Sequence, residues 1–526
     1  MSTSFASPRR LFLKSSAATL GAIAAPSIVV AQSARPIAEQ GLQFGDPLGD
    51  SLMVWSRSDR PSRMLVEWSL DERFANAKRI VGPYALETTD FTARQDLDGL
   101  PAGREVFVRV SFQGLDNSRA MSEPAVGRLR MPPRDGADIR FVWGGDTAGQ
   151  GWGINPSFGG MKIYEAMRQR QPHFFIHSGD NIYADGPIAA SVTAENGQLW
   201  TNLVTPEVAK VAETLDEFRG RYRYNLLDAN LRRFNAEVPQ IWQWDDHEVT
   251  NNWSDAKSVD ADARYTEKNV PLLVARGARA FLDYAPMRPF DASESQRVYR
   301  QFSHGPLLDV FVLDMRSYRG PNSYNRQEAP DASTAFLGAE QLQWLKRALS
   351  RSRAAWKVIA ADMPLGLLVG DGRDAQGRDR FEAVANGNGP VLGREFEFAD
   401  LLRHIKHDRV ANVVWLTADV HYCAAHHYDP SRAVFQDFDP FWEFVAGPLN
   451  AGTFGPGVLD NTFGPEAVFV KAPPPGQANL SPYAGLQFFG EVNIDRHANL
   501  TVDLRDLNGT SLFSKTLAPQ AGWQRR

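Results

Sequence analysis

The chain has 526 residues, enough for two or more domains and a large core. It is 43% apolar and 23% charged with a net charge of −5, an ordinary globular composition that lacks the basic surplus of a nucleic-acid binder. Its 42 Gly and 33 Pro argue for many turns rather than a helical bundle, and its single cysteine, Cys423, excludes an intrachain disulfide and a thiolate-built zinc site.

The N-terminus carries "RRLFLK" (9–14) ahead of a weakly apolar run, "AATLGAIAAPSIVVA" (17–31). A positive start, a short apolar stretch and small residues after it read as an export signal. The run is too short and too rich in Ala and Gly to span a bilayer comfortably. Residues 1–34 are therefore expected to be a signal peptide, cut after Ala31 or Ala34, with the mature protein periplasmic or secreted and without a membrane anchor. Arg9 and Arg10, with Phe12, Leu13 and Lys14, resemble a twin-arginine signal, which implies the twin-arginine export machinery as a partner and folding before transport.

From 39 to 133 short β-forming runs alternate with turn signals: "SLMVWSR" (51–57), "RMLVEWSL" (63–70), "REVFVRVSF" (104–112) and "AVGRLRM" (125–131). This stretch resembles a fibronectin or immunoglobulin-like β-sandwich, and "MPPRDG" (131–136) reads as a linker. From 138 to 526 strands and helices alternate. Strands are predicted within 138–146, 172–180, 238–246, 307–316, 355–364 and 410–421, with late strands at 441–446, 486–495, 499–505 and 511–517. Helices are predicted at 160–171, 206–220, 337–352 and 396–408. The fold class is α/β: an N-terminal β-sandwich followed by a layered αββα domain.

One pattern recurs in the second part. Apolar strands give way to Asp146, Asp180, Asp246 and Asp419. Ligands of layered α/β domains bind beyond the carboxyl ends of strands, so these acids are aimed at one volume. A strand-end Asp is also a good helix N-cap. Four of them, with His247 and His421 each within two residues of an Asp, read as a metal site instead. The stretch "WDDHEVTNN" (244–252) makes the point physically, since adjacent carboxylates in a dry place repel one another and lose hydration. Carboxylate, imidazole and a phenol at Tyr183 are hard-to-borderline donors. A tyrosinate prefers a trivalent ion such as iron; the alternative for Tyr183 is a packed ring with its hydroxyl on a backbone carbonyl. No GxxxxGK[ST] loop and no GxSxG elbow is present.

"GGDTAGQG" (144–151), "GDNIYADG" (179–186), "WDDHEVTNNW" (244–253) and "TADVHY" (417–422) resemble the ordered motifs of the calcineurin-like metallophosphoesterase superfamily, with a likeness to purple acid phosphatases. Together with "EFRGRYRYN" (217–225), "VLDMRSYRG" (312–320) and "EFVAGPLNAG" (443–452), they make the chain resemble the PhoD-like alkaline phosphatases over nearly its whole mature length. The resemblance implies two or more metal ions. Asp146, Tyr183 and His421 would bind one, Fe3+; Asp180 would bridge; Asp246 and Asp419 would bind a second, harder ion such as Ca2+. Asn252 or Asn251 would add an oxygen or make a structural hydrogen bond. Relatives can carry Cys where this chain has Asp146, which leaves the metal pair open.

His247 would stand by the phosphate as proton donor or stabiliser, or would be a supporting histidine held by Asp245. Arg316 and Arg319 would contact phosphate or pair with acids, and Glu248 would orient neighbours. Asp362 stands near where many phosphoesterases have a His, and His426 and His427 are as readily loop residues. The implied reaction is hydrolysis of small phosphomonoesters, phosphodiesters or both by a metal-bound hydroxide, with an alkaline optimum. Two other readings are a phospholipase D-type diesterase, which needs an apolar groove beside the metals, and a non-catalytic surface binding module.

Overall fold

The computed structural model describes residues 35–134 and 136–520, so the expected signal peptide lies outside the described residues. Strands dominate the first part: Leu42–Leu48 (β1), Ser51–Arg57 (β2), Ser62–Ser69 (β3), Lys78–Ala85 (β4), Thr92–Leu97 (β5), Glu105–Gly114 (β6) and Ala125–Arg130 (β7). Then come Ile139–Gly144 (β8), helix Lys162–Gln169 (α1), Phe174–Ser178 (β9), a hairpin of Ser191–Thr193 (β10) and Leu199–Thr201 (β11), helices Leu215–Asn225 (α2) and Ala229–Asn235 (α3), Gln240–Gln243 (β12) and helix Val270–Tyr284 (α4). The third part holds Arg300–His304 (β13), Leu308–Val312 (β14), helix Ala339–Arg351 (α5), Trp356–Ala360 (β15), Gly370–Arg373 (β16), Asp379–Phe381 (β17), helix Glu395–His407 (α6) and Val413–Thr417 (β18). Cys423–Tyr428 (β19), Phe441–Val445 (β20), Pro465–Lys471 (β21), Phe488–Ile494 (β22), Leu500–Asp506 (β23) and Ser511–Leu517 (β24) complete it.

Side-chain alternation along the strands explains the layers. Ile139, Phe141 and Trp143 of β8 and Phe174 and Ile176 of β9 point inward against Val310, Val312, Val358, Ala360, Val414 and Leu416 of a second sheet. Their neighbours Val142 and Phe175 point outward onto Ile163, Tyr164 and Met167 of α1 and Phe234 of α3. On the other side Phe311, Ile359 and Trp415 point outward onto Leu342, Leu345 and Leu349 of α5 and Phe398, Leu401, Leu402 and Ile405 of α6. The i, i+3, i+4, i+7 spacing on α6 is that of a one-faced helix. Among the described residues the layers thus run helix, sheet, sheet, helix. The sheet orders are β24-β23-β22-β8-β9-β12-β1-β2-β5 and β13-β14-β15-β18-β20-β19-β21. β8, β9 and β12 run parallel, as do β14, β15, β18 and β20, so their carboxyl ends open on one rim.

The front strands also make two layers. Leu52 and Val54 on one side meet Met64, Val66, Val106, Val108 and Val110 of the β4-β3-β6-β7 sheet. One of these layers is continuous with the second part, because β1 pairs in parallel with β12 through Gly45 and Gln240. Gly45 is required there: a Cβ would lie 2.1 Å from the Pro286 carbonyl oxygen. No helix among the described residues is long and apolar enough to cross a membrane.

Three helices differ from the sequence expectation, the first being α3, which was not predicted although Asp228 caps it. In 206–220 a single turn, Pro206–Val208, stands apart from α2, which starts at Leu215 because Thr214 and Glu217 form a reciprocal capping box. α4 was not predicted, although Asn269 caps it and Pro271 sits in its first turn. Replacing Gly45→Ala should force β1 from the 286 backbone. An overpacking loss of about 1–3 kcal/mol is expected, read as a lower midpoint of urea unfolding.

Candidate metal centre

The acids stand two or three residues past the strands. Asp146 follows β8, Asp180 follows β9, Asp245 and Asp246 follow β12, and Asp419 and His421 follow β18. Asp146 (φ 71°), Asp180 (φ 50°), Asp419 (φ 66°) and His421 (φ 59°) all lie in the left-handed region. Each such turn is costly for a residue with a Cβ, and surrounding structure must hold it. Gly179 makes the crowding possible: a Cβ there would come 2.5 Å from that of Asp245.

Three overlapping groups of buried or half-buried donors result, each with one donor atom per residue within 4.8 Å of the others: Asp146–Asp180–His421, Asp180–Asp246–His247 and Asp245–Asp246–Asp419. Asp180 belongs to two groups and so does Asp246, which gives the adjoining positions shared oxygens. Tyr183 joins the first group, its hydroxyl 2.9 Å from His421 Nε2. His421 Nδ1 is bonded to the Gly452 carbonyl, so its N–H is committed there and the Nε2 lone pair faces Tyr183 and, at 3.5 Å, Asp146. Burial lowers the His421 pKa to about 4, which keeps it a neutral donor.

The electrostatics show what the groups lack. Burial and the neighbouring Asp246, Asp245 and Glu248 push Asp180 well above the carboxylate range, and burial does the same to Asp146. Asp419 is raised by burial and by Asp245, and Tyr183 by burial and by Asp180. Asp146 Oδ2, Asp245 Oδ2 and Asp246 Oδ1 are buried without a hydrogen-bond partner. Oxygen and imidazole donors with orphaned lone pairs fit hard or borderline cations.

The protein's own cations sit beneath and beside the acids. Arg316 is fully buried, its Nε 2.6 Å from Asp245 and its Nη1 2.5 Å from Glu382, with Asp362 at 3.7 Å. Of the two roles expected for Arg316, phosphate contact as a catalytic group or pairing with acids, the structure shows the second: its guanidinium is bonded to acids under the site. Arg319 is likewise buried, bonded to Asn322 and the Glu382 carbonyl and stacked 4.6 Å over Phe336. Asp362 therefore faces arginine, outside the three groups.

His247 is held by Asp185, at 2.6 Å from Nδ1, not by Asp245. Burial opposes its charge, yet Asp185 and Asp246 outweigh this and raise it to about 10. Its backbone N–H donates to Asp180, and Nε2 lies 3.9 Å from Asp246 Oδ1. Glu248 clamps the two turns together, accepting from the N–H groups of Asn181 and Asp245. Asn252 caps Asp246 with its backbone N–H and gives its side-chain amide to the Gly370 carbonyl, while the Asn251 N–H goes to Asp185. His426 of β19 pairs with Glu443 of β20, and His427 lies tilted against Trp442; neither joins the groups.

A cleft of about 790 Å³ opens over the cluster, lined among others by Asp180, Tyr183, Asp246, His247, Asp419 and His421. Asp185 was missed from sequence although it lies within the quoted "GDNIYADG"; only the folded turn brings it to His247. Replacing Arg316→Met would strand Asp245, Glu382 and Asp362 without their counter-charge. A stability loss of about 3–5 kcal/mol is expected from breaking a buried pair, together with reduced metal retention by elemental analysis.

The family model described as PhoD-like phosphatase matches residues 141–504, and that of the PhoD-like phosphatase N-terminal domain matches 22–133. Alkaline phosphatase D of Bacillus subtilis (strain 168) is 26% identical over 436 residues, 79% of this chain and 70% of that protein. A solved structure of PhoD superposes with a TM-score of 0.65 at 22% identity, covering 91% of this chain and 89% of the other. A purple acid phosphatase from yellow lupin (Lupinus luteus) seeds shares the fold at a TM-score of 0.54 and 13% identity, covering 92% and 74%. The chain belongs to the PhoD-like phosphatase family and is a hydrolase of phosphoric ester bonds.

Proposed function

We propose that the cleft hydrolyses small phosphate esters, monoesters and diesters alike, at alkaline pH, with two or more metal ions in the acid cluster. The observation that carries this reading is the sharing of Asp180 and Asp246 between adjoining donor groups, the arrangement a pair of nearby cations needs. Asp146, Tyr183 and His421 would hold Fe3+, whose affinity for phenolate matches Tyr183. Asp246 and Asp419, with Asn252 beside them, would hold the more oxygen-loving Ca2+. Bound there, the ions supply Lewis acidity toward the phosphoryl oxygens and toward water.

The chain's own residues do the rest. Asp180 fixes the spacing of the two positions. Glu248 locks the turns that carry Asp180 and Asp246, so the donors are preorganised. His247, with Nδ1 on Asp185, keeps Nε2 for the cleft and gives its proton to the departing alkoxide. Arg316 acts as a positioning residue, holding Asp245 and balancing part of the buried charge.

The apolar side chains Val369, Val420 and Phe454 in the same cleft favour a second reading, esters with a large apolar alcohol. Choline release from phosphatidylcholine tests it. Export through the twin-arginine route also belongs to this reading, resting on Arg9 and Arg10. Replacing both by Lys should leave the protein in the cytoplasmic fraction.

With an alkyl phosphomonoester such as glycerol phosphate, whose alkoxide needs a proton to leave, His247→Ala should lower kcat by roughly 10²–10⁴-fold, the share of one general acid. Asp180→Asn should cost at least as much, because it disturbs both positions. Normal turnover by either variant, folded and metal-loaded as the wild type, would sink the proposal.

A further inference from the structure

Phosphate recognition needs a protein cation that the substrate can reach, and Arg316 and Arg319 are both buried in other bonds. Apart from His247, the cations lining the cleft among the described residues are Lys257 and Arg264. Arg264 is already engaged: Nη2 lies 2.7 Å from Asp262 and Nη1 donates to the Asp185 carbonyl at 3.1 Å. Lys257 differs. Its ammonium donates to the Asn251 carbonyl and forms no ion pair with a carboxylate among the described residues. An ammonium has three N–H donors, so two remain beyond this bond on a side chain that lines the cleft.

The anchor of Lys257 is also well placed. Asn251 gives its N–H to Asp185, the partner of His247, and Asn252 gives its N–H to Asp246. One short piece of backbone therefore ties the lysine, the candidate proton donor and a metal-binding carboxylate together. Lys257 is half-buried, in the irregular chain between β12 and α4, where a four-carbon stem can follow a bound anion.

Resting on the hydrolase reading above, we infer that Lys257 is the substrate-positioning cation of this site. Its ammonium bonds a non-bridging oxygen of the bound phosphoryl group and favours dianionic monoesters over monoanionic diesters. A point cation attracts a dianion more strongly than a monoanion, and the low-dielectric floor of the cleft magnifies the difference. The contact is made in the ground state as well as the transition state, so its loss should appear mainly in KM.

The test compares wild type, Lys257→Met and Lys257→Arg, each metal-loaded and checked for metal content. Calorimetric titration with inorganic phosphate should show affinity weakened by roughly tenfold or more in Lys257→Met, as expected for one charged hydrogen bond, and largely restored in Lys257→Arg. KM for p-nitrophenyl phosphate should rise by a similar factor with kcat nearly unchanged, and KM for its bis ester should rise less. Phosphate affinity unchanged in Lys257→Met, or lost only together with metal, overturns the inference. A wild type that hydrolyses no ester yet binds phosphate through Lys257 would sink the hydrolase reading and leave this one standing.

Discussion

The structure turns on repulsion among buried carboxylates. Asp146, Asp180, Asp245, Asp246 and Asp419 are driven into one small volume at the ends of three parallel β-strands in one sheet and one in the other. Isolated ionised groups in such a place cost several kcal/mol each unless matched by opposite charge. Arg316 matches Asp245 and Glu382, and His247 matches Asp185 with help to Asp246. Asp146, Asp180 and Asp419 have no such partner, and burial together with neighbouring carboxylates pushes all three well above the carboxylate range. Cations at the shared positions would remove the conflict, which is the basis of the metal-assisted hydrolysis proposed above.

The rest of the fold reads as bracing for that centre. Two sheets face to face supply rigid strand ends, and the left-handed turns after them aim the donors. The front strands brace the same region from behind. Asp283 of α4 receives the Arg219 guanidinium of α2 at 2.6 Å, and its carbonyl takes the Trp55 indole N–H of β2. Asp46 of β1 meets Arg300 of β13 at 2.9 Å. The Asp283 contacts hold α4, whose Phe281 packs on Trp244, the residue that precedes the Asp245–Asp246 pair. The first part of the chain thus acts on the site through packing rather than by contributing donors.

Much of this was legible in the sequence because the physics is local. Strands such as Phe174–Ser178 and Val413–Thr417 announce themselves as short apolar runs, and the acids that follow them stand out against those runs. The donor types limited the chemistry before any geometry was known. What stayed hidden depends on distance in space. Nothing adjacent in sequence tells that Arg316 will be spent on Asp245, that Asp185 rather than Asp245 will hold His247, or that Lys257 will return to the cleft. The continuity of β1 with β12 was equally invisible, since a single pairing at Gly45 carries it. α3 and α4 were missed although their caps, Asp228 and Asn269, were there to be read.

The claim that buried charge is compensated by metal is tested most directly by elemental analysis of the protein purified from its own cells without added ions. The account predicts at least two metal equivalents per chain, iron and calcium foremost. A folded, hydrolytically competent preparation with less than one equivalent of any metal would contradict it.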